Sequence, residues 1–71
     1  MTKKDLLNNI EKLISNIEFS RNMEREYHER SEEFPKNGDE FRQIRDGYSS
    51  VADLLKTELA GLLKDLYDLC S

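Results

Sequence analysis

One cysteine, one proline, one histidine and three glycines are all that the 71 residues contain of those types. Each scarcity excludes something. With Cys70 alone, no intramolecular disulfide can staple the fold. No signal-peptide pattern opens the sequence either, so the cytosol is the expected compartment. Met1-Thr2-Lys3-Lys4 is basic, but an amphipathic segment comes after it rather than a continuous apolar block. No apolar run approaches the ~20 residues of a membrane helix, and no membrane role is expected. The few β-branched residues do not alternate, which leaves no strand signal. Positive charge is also short: the formal net charge is −4, which disfavours nucleic acid as a partner, because affinity for phosphate rests on basic residues. Arg21, Arg25 and Arg30 lie among Glu24, Glu26, Glu29, Glu32 and Glu33, the pattern of a solvated helix face with intrahelical pairs.

What is present suits helices with one apolar stripe and one wet face. Hydrophobic residues make up 37% of the chain and charged residues another 37%. Thr2 is a good N-cap, with Asp5 placed as the acid of a capping box. Leu6, Leu7, Ile10, Leu13, Ile14 and Ile17 then recur at helical spacings. This predicts a first helix from about Lys3 to Glu32. The punctuation falls at 33–39, which holds the only proline and an Asn-Gly pair. Pro35 biases Phe34 away from helical geometry, Gly38 can supply a positive φ, and Asp39 can cap a second helix. That second helix is expected from about Glu40 to Leu69. Its stripe is Phe41, Ile44, Tyr48, Val51, Ala52 and Leu55, then Leu59, Leu62, Leu63, Leu66, Leu69 and Cys70.

A short connection makes two long helices antiparallel neighbours. The expected fold is therefore all-α, an antiparallel hairpin forming a single domain over 1–71, with helices spanning about 45 Å. Folding about the turn sets Phe34 against Phe41 and Tyr27 against Tyr48. It sets Ile17 against Leu55 and Leu59, and Ile10 and Leu13 against Leu59, Leu62 and Leu63. Leu6 and Leu7 then face Leu66 and Leu69, so the aromatic residues lie towards the turn.

Two irregularities stand out. Continuing helix 1 from Ile17 at regular spacing reaches Ser20 and Glu24, then Tyr27, Ser31 and Phe34. A more apolar route is Ile17, Ser20, Met23, Tyr27, Arg30 and Phe34, which inserts a stammer into the alternation. Either helix 1 turns about Ser20 so that Met23 and Tyr27 reach helix 2, or Phe19, Met23 and Tyr27 face outward towards another chain. In helix 2, Gly47, Leu54 and Gly61 recur every seventh residue on one flank, which Glu58 and Asp65 share. The helix either tolerates these glycines or uses them for close approach of another backbone.

Chemistry is sparse. Glu24, His28 and Glu32 share a helix face but lack the Glu-x-x-His spacing of paired-helix metal sites, so no metal or cofactor is expected. His28 and Cys70 belong at opposite ends of the hairpin and cannot form a nucleophile–base pair within one chain. Two helices alone enclose no pocket, so no catalytic residue is assigned and an enzyme is not expected.

The size and layout resemble small bacterial helical hairpins that act by binding. Ser49-Ser50-Val51-Ala52-Asp53-Leu54-Leu55 is similar in outline to the Ser-x-x-x-Asp segment of small phosphatase regulators of the sporulation phosphorelay. The fuller Ser-Gln-Glu-Leu-Asp pattern of that family is absent and the turn is longer here. Taken plainly, Ser49 and Asp53 are two exposed polar positions beside Val51 and Leu55.

The expectation is a small interaction module, a bacterial or phage regulator or accessory protein. It would pair with itself into a four-helix bundle and with another protein partner. The expected contact residues are Ile10, Ile17, Tyr48, Leu55, Leu59, Leu62 and Leu66, with Phe19, Met23 and Tyr27 as a second surface. One alternative, implied by the resemblance, is a regulator that presents the Asp53 carboxylate to a partner's phosphoryl group. Another is a dimeric nucleic-acid-binding bundle using Arg21, Arg25, Arg42 and Arg45.

Overall fold

The computed structural model describes residues 2–70. Helix α1 (Lys3–Glu33) starts at its cap: the Asp5 N–H donates to Thr2 Oγ1 at 3.1 Å, and the Leu6 N–H to the Thr2 carbonyl at 3.0 Å. It ends where Pro35 dictates. Phe34 takes φ −120° and ψ 76°, outside the helical region, while its N–H still reaches the Arg30 carbonyl at 2.9 Å. A short 3-10 turn, Pro35–Asn37, leads directly into helix α2 (Gly38–Cys70). The two helices pack along their length into an antiparallel hairpin of 54 × 15 × 14 Å, with no strand among the described residues.

The turn is shorter than expected. α2 begins at Gly38 rather than Glu40 and runs to Cys70. Gly38 does not supply a positive φ: it is helical, at φ −57° and ψ −40°. What it contributes is the absence of a side chain. A Cβ there would stand 3.2 Å from the Ser31 carbonyl oxygen, so Gly38 lets the end of α1 and the start of α2 come together. Asp39 lies inside the first turn of α2, where its carboxylate accepts from the Arg42 guanidinium.

The seam obeys one rule. Counting from Leu6 in steps of four and three gives Ile10, Leu13, Ile17, Ser20, Glu24, Tyr27, Ser31 and Phe34. Leu6, Ile10, Leu13, Ser20 and Ser31 are buried, and Ile17, Glu24 and Tyr27 are half-buried. The same alternation from Gly38 gives Phe41, Arg45, Tyr48, Ala52, Leu55, Leu59, Leu62 and Leu66, every one buried or half-buried. There is no stammer. The regular spacing persists through Ser20 and Ser31, because small residues let the helices approach there. Ala52, at 0% exposure, is the corresponding small residue of the α2 seam, beside the Arg21–Asp53 contact at 3.9 Å.

The stripes read from the sequence are accordingly too wide. Leu7 and Ile14 on α1, and Ile44, Val51, Leu63, Leu69 and Cys70 on α2, are exposed. A single partner helix covers only the residues that point at it, and most of these lie one step round; Leu69 keeps the seam spacing and is exposed at the open end of the hairpin. The aromatic end is as expected. Tyr27 stacks on Tyr48 with ring centroids 6.0 Å apart, and Phe34 meets Phe41 at 6.4 Å. Tyr27 therefore belongs to the seam, where the Arg30 guanidinium covers its ring at 5.0 Å.

Candidate interaction surfaces

Flanking a straight two-helix seam are two edges, and their side chains differ in chemistry. The first edge carries residues one step past the seam on α1: Leu7, Ile14, Arg21 and His28. On α2 it carries Asp46, Asp53, Ala60 and Tyr67, with Leu63 beside them. Near the turn it is ionic. Arg21 bonds Glu24 at 3.2 Å, Arg45 bonds Asp46 at 3.0 Å, and the Arg45 guanidinium lies 2.9 Å from His28 Nδ1. Glu32 lies 3.2 Å from the other ring nitrogen of His28. At the far end the same edge is apolar, through Leu7, Ile14, Leu63 and Tyr67, the last 72% exposed.

The second edge carries Phe19 and Met23 on α1, and Ile44, Gly47, Val51, Leu54, Glu58 and Gly61 on α2. Its side is fixed by Phe19, whose ring meets Tyr48 edge-on at 6.3 Å. It is fixed again by the groove in which Asn9, Lys12 and Glu58 flank Leu13 and Leu62. Phe19 is 57% exposed and Leu54 is 71% exposed, while Met23 is half-buried. Phe19, Met23 and Tyr27 thus do not form one outward strip: Tyr27 turns inward and Phe19 outward, with Met23 between.

Gly47 and Gly61 lie on this second edge. A glycine inside a helix costs about 1 kcal/mol relative to alanine. Nothing beyond the helix's own backbone lies within 4 Å of a Cβ built at either position, so packing within the hairpin does not require a glycine there.

The polar groups with chemical potential are mostly paired or dispersed. Glu24, His28 and Glu32 share a face, but Glu24 is turned to Arg21, and no group of three His, Cys, Asp or Glu side chains among the described residues converges as a metal site would need. Asp53 is exposed with Arg21 beside it, whereas Ser49 is half-buried, so only one of the two polar positions is open. Arg21, Arg42 and Arg45 each lie against an acid, and Arg25 donates to Asn22 at 3.2 Å. Cys70 is exposed in the last turn of α2. No described helix is long and apolar enough to cross a membrane.

Of the contact residues expected from sequence, Ile10, Ile17, Tyr48, Leu55, Leu59, Leu62 and Leu66 all lie in the seam, buried or half-buried. They join α1 to α2. The outward apolar surface belongs to their neighbours. Spacing puts Ile44 and Val51 in the α2 stripe, marks Leu54 only between the two glycines and passes over Tyr67; each of the four lies beside a seam position or its neighbour rather than in the seam. A signal for them exists: an apolar residue adjacent to a seam position has no partner in a two-helix fold. No family model matches this sequence, and no curated protein or solved structure matches it either.

Proposed function

We propose that this protein is a non-enzymatic interaction module that associates with a second copy of itself, two hairpins closing into a four-helix bundle. The observation that carries the reading is the poor burial of the apolar side chains. Among the described residues no large side chain is fully buried, and Phe19, Leu54, Tyr67 and Leu69 each expose more than half their surface. A chain of this length buries only about 60% of its unfolded surface even when compact, so the core of one hairpin is marginal. Pairing covers the edges that a single hairpin leaves open and adds a second layer to its core.

Self-association predicts concentration-dependent stability. If the folded form is a dimer, a tenfold rise in protein concentration adds about 1.4 kcal/mol to its stability, and Tm rises with it. Thermal unfolding monitored by circular dichroism over a hundredfold range of concentration tests this. A Tm that stays constant across the range would contradict self-association.

A further inference from the structure

We infer that the Asn37–Gly38 pair is a self-modification site held in check by the folded turn. Opening of the turn lets the chain convert Asn37 to isoaspartate, and the isoaspartyl chain does not rebuild the turn. Water is the co-reactant. The inference stands apart from the self-association proposed above.

The reaction is an attack of the Gly38 backbone nitrogen on Asn37 Cγ. A new C–N bond forms, base takes the amide proton, and the carboxamide C–N bond breaks to release ammonia. This leaves a five-membered succinimide. Water then opens the ring at one of its two carbonyls. One opening gives aspartate. The other gives isoaspartate, whose main chain runs through Cβ and Cγ. No electrons change hands. A side chain on the following residue obstructs the attack, and Asn8, Asn9, Asn16 and Asn22 are followed by Asn9, Ile10, Ile17 and Met23, all within α1. Asn37 alone is followed by glycine. It is exposed, and no hydrogen bond among the described residues holds its carboxamide. Asp46–Gly47 has the same outline, but it lies in the interior of α2 and its carboxylate bonds Arg45 at 3.0 Å. A carboxylate is also a poorer electrophile than a carboxamide.

The fold adds the restraint. The Gly38 N–H, the attacking group, donates to the Pro35 carbonyl, and the Asn37 N–H donates to the Phe34 carbonyl at 3.1 Å. Ring closure needs Asn37 Cβ, Cα and C and the Gly38 nitrogen close to one plane. The ψ of a 3-10 turn, about −20 to −30°, holds that nitrogen well out of it. The reaction therefore passes through local opening of the turn.

The product acts back on the fold. Isoaspartate lengthens the main chain by one carbon–carbon bond, about 1.5 Å. The turn has little room for it: Gly38 is buried, and a Cβ there would already stand 3.2 Å from the Ser31 carbonyl oxygen. The extra atom also breaks the spacing that brings the Gly38 N–H to the Pro35 carbonyl. An opening event is thus recorded irreversibly at the connection between the two helices.

The test incubates the full chain at mildly alkaline pH in water enriched in oxygen-18, with and without denaturing guanidinium chloride, and maps the label by peptide mass spectrometry. The label is expected first at Asn37, about tenfold or more faster in denaturant than in the folded chain, and to be absent there in Asn37→Ser. The isoaspartyl fraction, separated by chromatography, is expected to unfold at a lower denaturant midpoint than the parent, while Asn37→Asp keeps the parent's midpoint. Equal rates in the folded and unfolded chain overturn the restraint by the turn. Label appearing first at Asp46 or at another asparagine overturns the site. An isoaspartyl chain with the parent's midpoint, or an Asn37→Asp chain that falls as far as the isoaspartyl one, overturns the action of the lengthened backbone on the fold.

Discussion

A Cβ at position 38 would lie 3.2 Å from the Ser31 carbonyl oxygen, while one at position 61 would meet nothing within 4 Å. The same substitution should therefore have opposite signs at the two sites. Gly61→Ala removes backbone freedom from the unfolded chain without a clash and should raise the unfolding free energy by about 0.5–1 kcal/mol. Gly38→Ala should lower it, because the obstacle is backbone and cannot swing away. Urea unfolding at one fixed protein concentration measures both, and a stabilised Gly38→Ala would contradict the close approach at the turn. Ser20 and Ser31 serve close approach in the same way. Both are buried, and Ser31 Oγ donates to the His28 carbonyl at 2.6 Å, which satisfies the hydroxyl within its own helix. Neither residue carries an apolar signal, so reading by hydrophobicity passes over both. Reading by interval alone, four and three without exception, finds them.

At the scale of the helices, most of the hairpin was legible. The Thr2 cap, the break at Pro35 and the long uninterrupted spacings place both helices to within two residues of their observed ends. The antiparallel fold results from the short turn, and the aromatic pairing near that turn results from the register. What was not legible was the width of the seam. Leu62 and Leu63 look alike in the sequence, as do Leu6 and Leu7, yet only the first of each pair faces the other helix. Apolar composition cannot separate a seam residue from its neighbour; only the direction of a partner can. This difference is measurable. Leu59 is half-buried in the seam, and Leu59→Asp places a charge between the helices at a cost of about 3 kcal/mol or more, enough to abolish cooperative unfolding of so small a core. Leu63→Asp, one step round and exposed, should keep the helical circular dichroism signal and a cooperative transition. Equal damage from the two would refute the seam assignment.

The whole molecule is a rod, 54 Å long and 15 Å wide, whose core is one seam deep. Its leucines and isoleucines fill the seam at the end far from the turn. Towards the turn the seam passes through Ser20, Glu24, Ser31, Gly38 and Arg45, where aromatic stacking and close backbone approach replace aliphatic bulk. Both edges retain apolar patches, and two helices have no further surface with which to cover them. Self-association is the proposed way in which these patches are covered, and it is the claim on which the functional reading depends. Sedimentation equilibrium over a wide concentration range tests it most directly. A self-associating hairpin should show a mass near twice the 8.4 kDa of one chain at micromolar concentrations, shifting towards the single-chain value on dilution. A mass of one chain throughout, from a protein that still unfolds cooperatively, would contradict it.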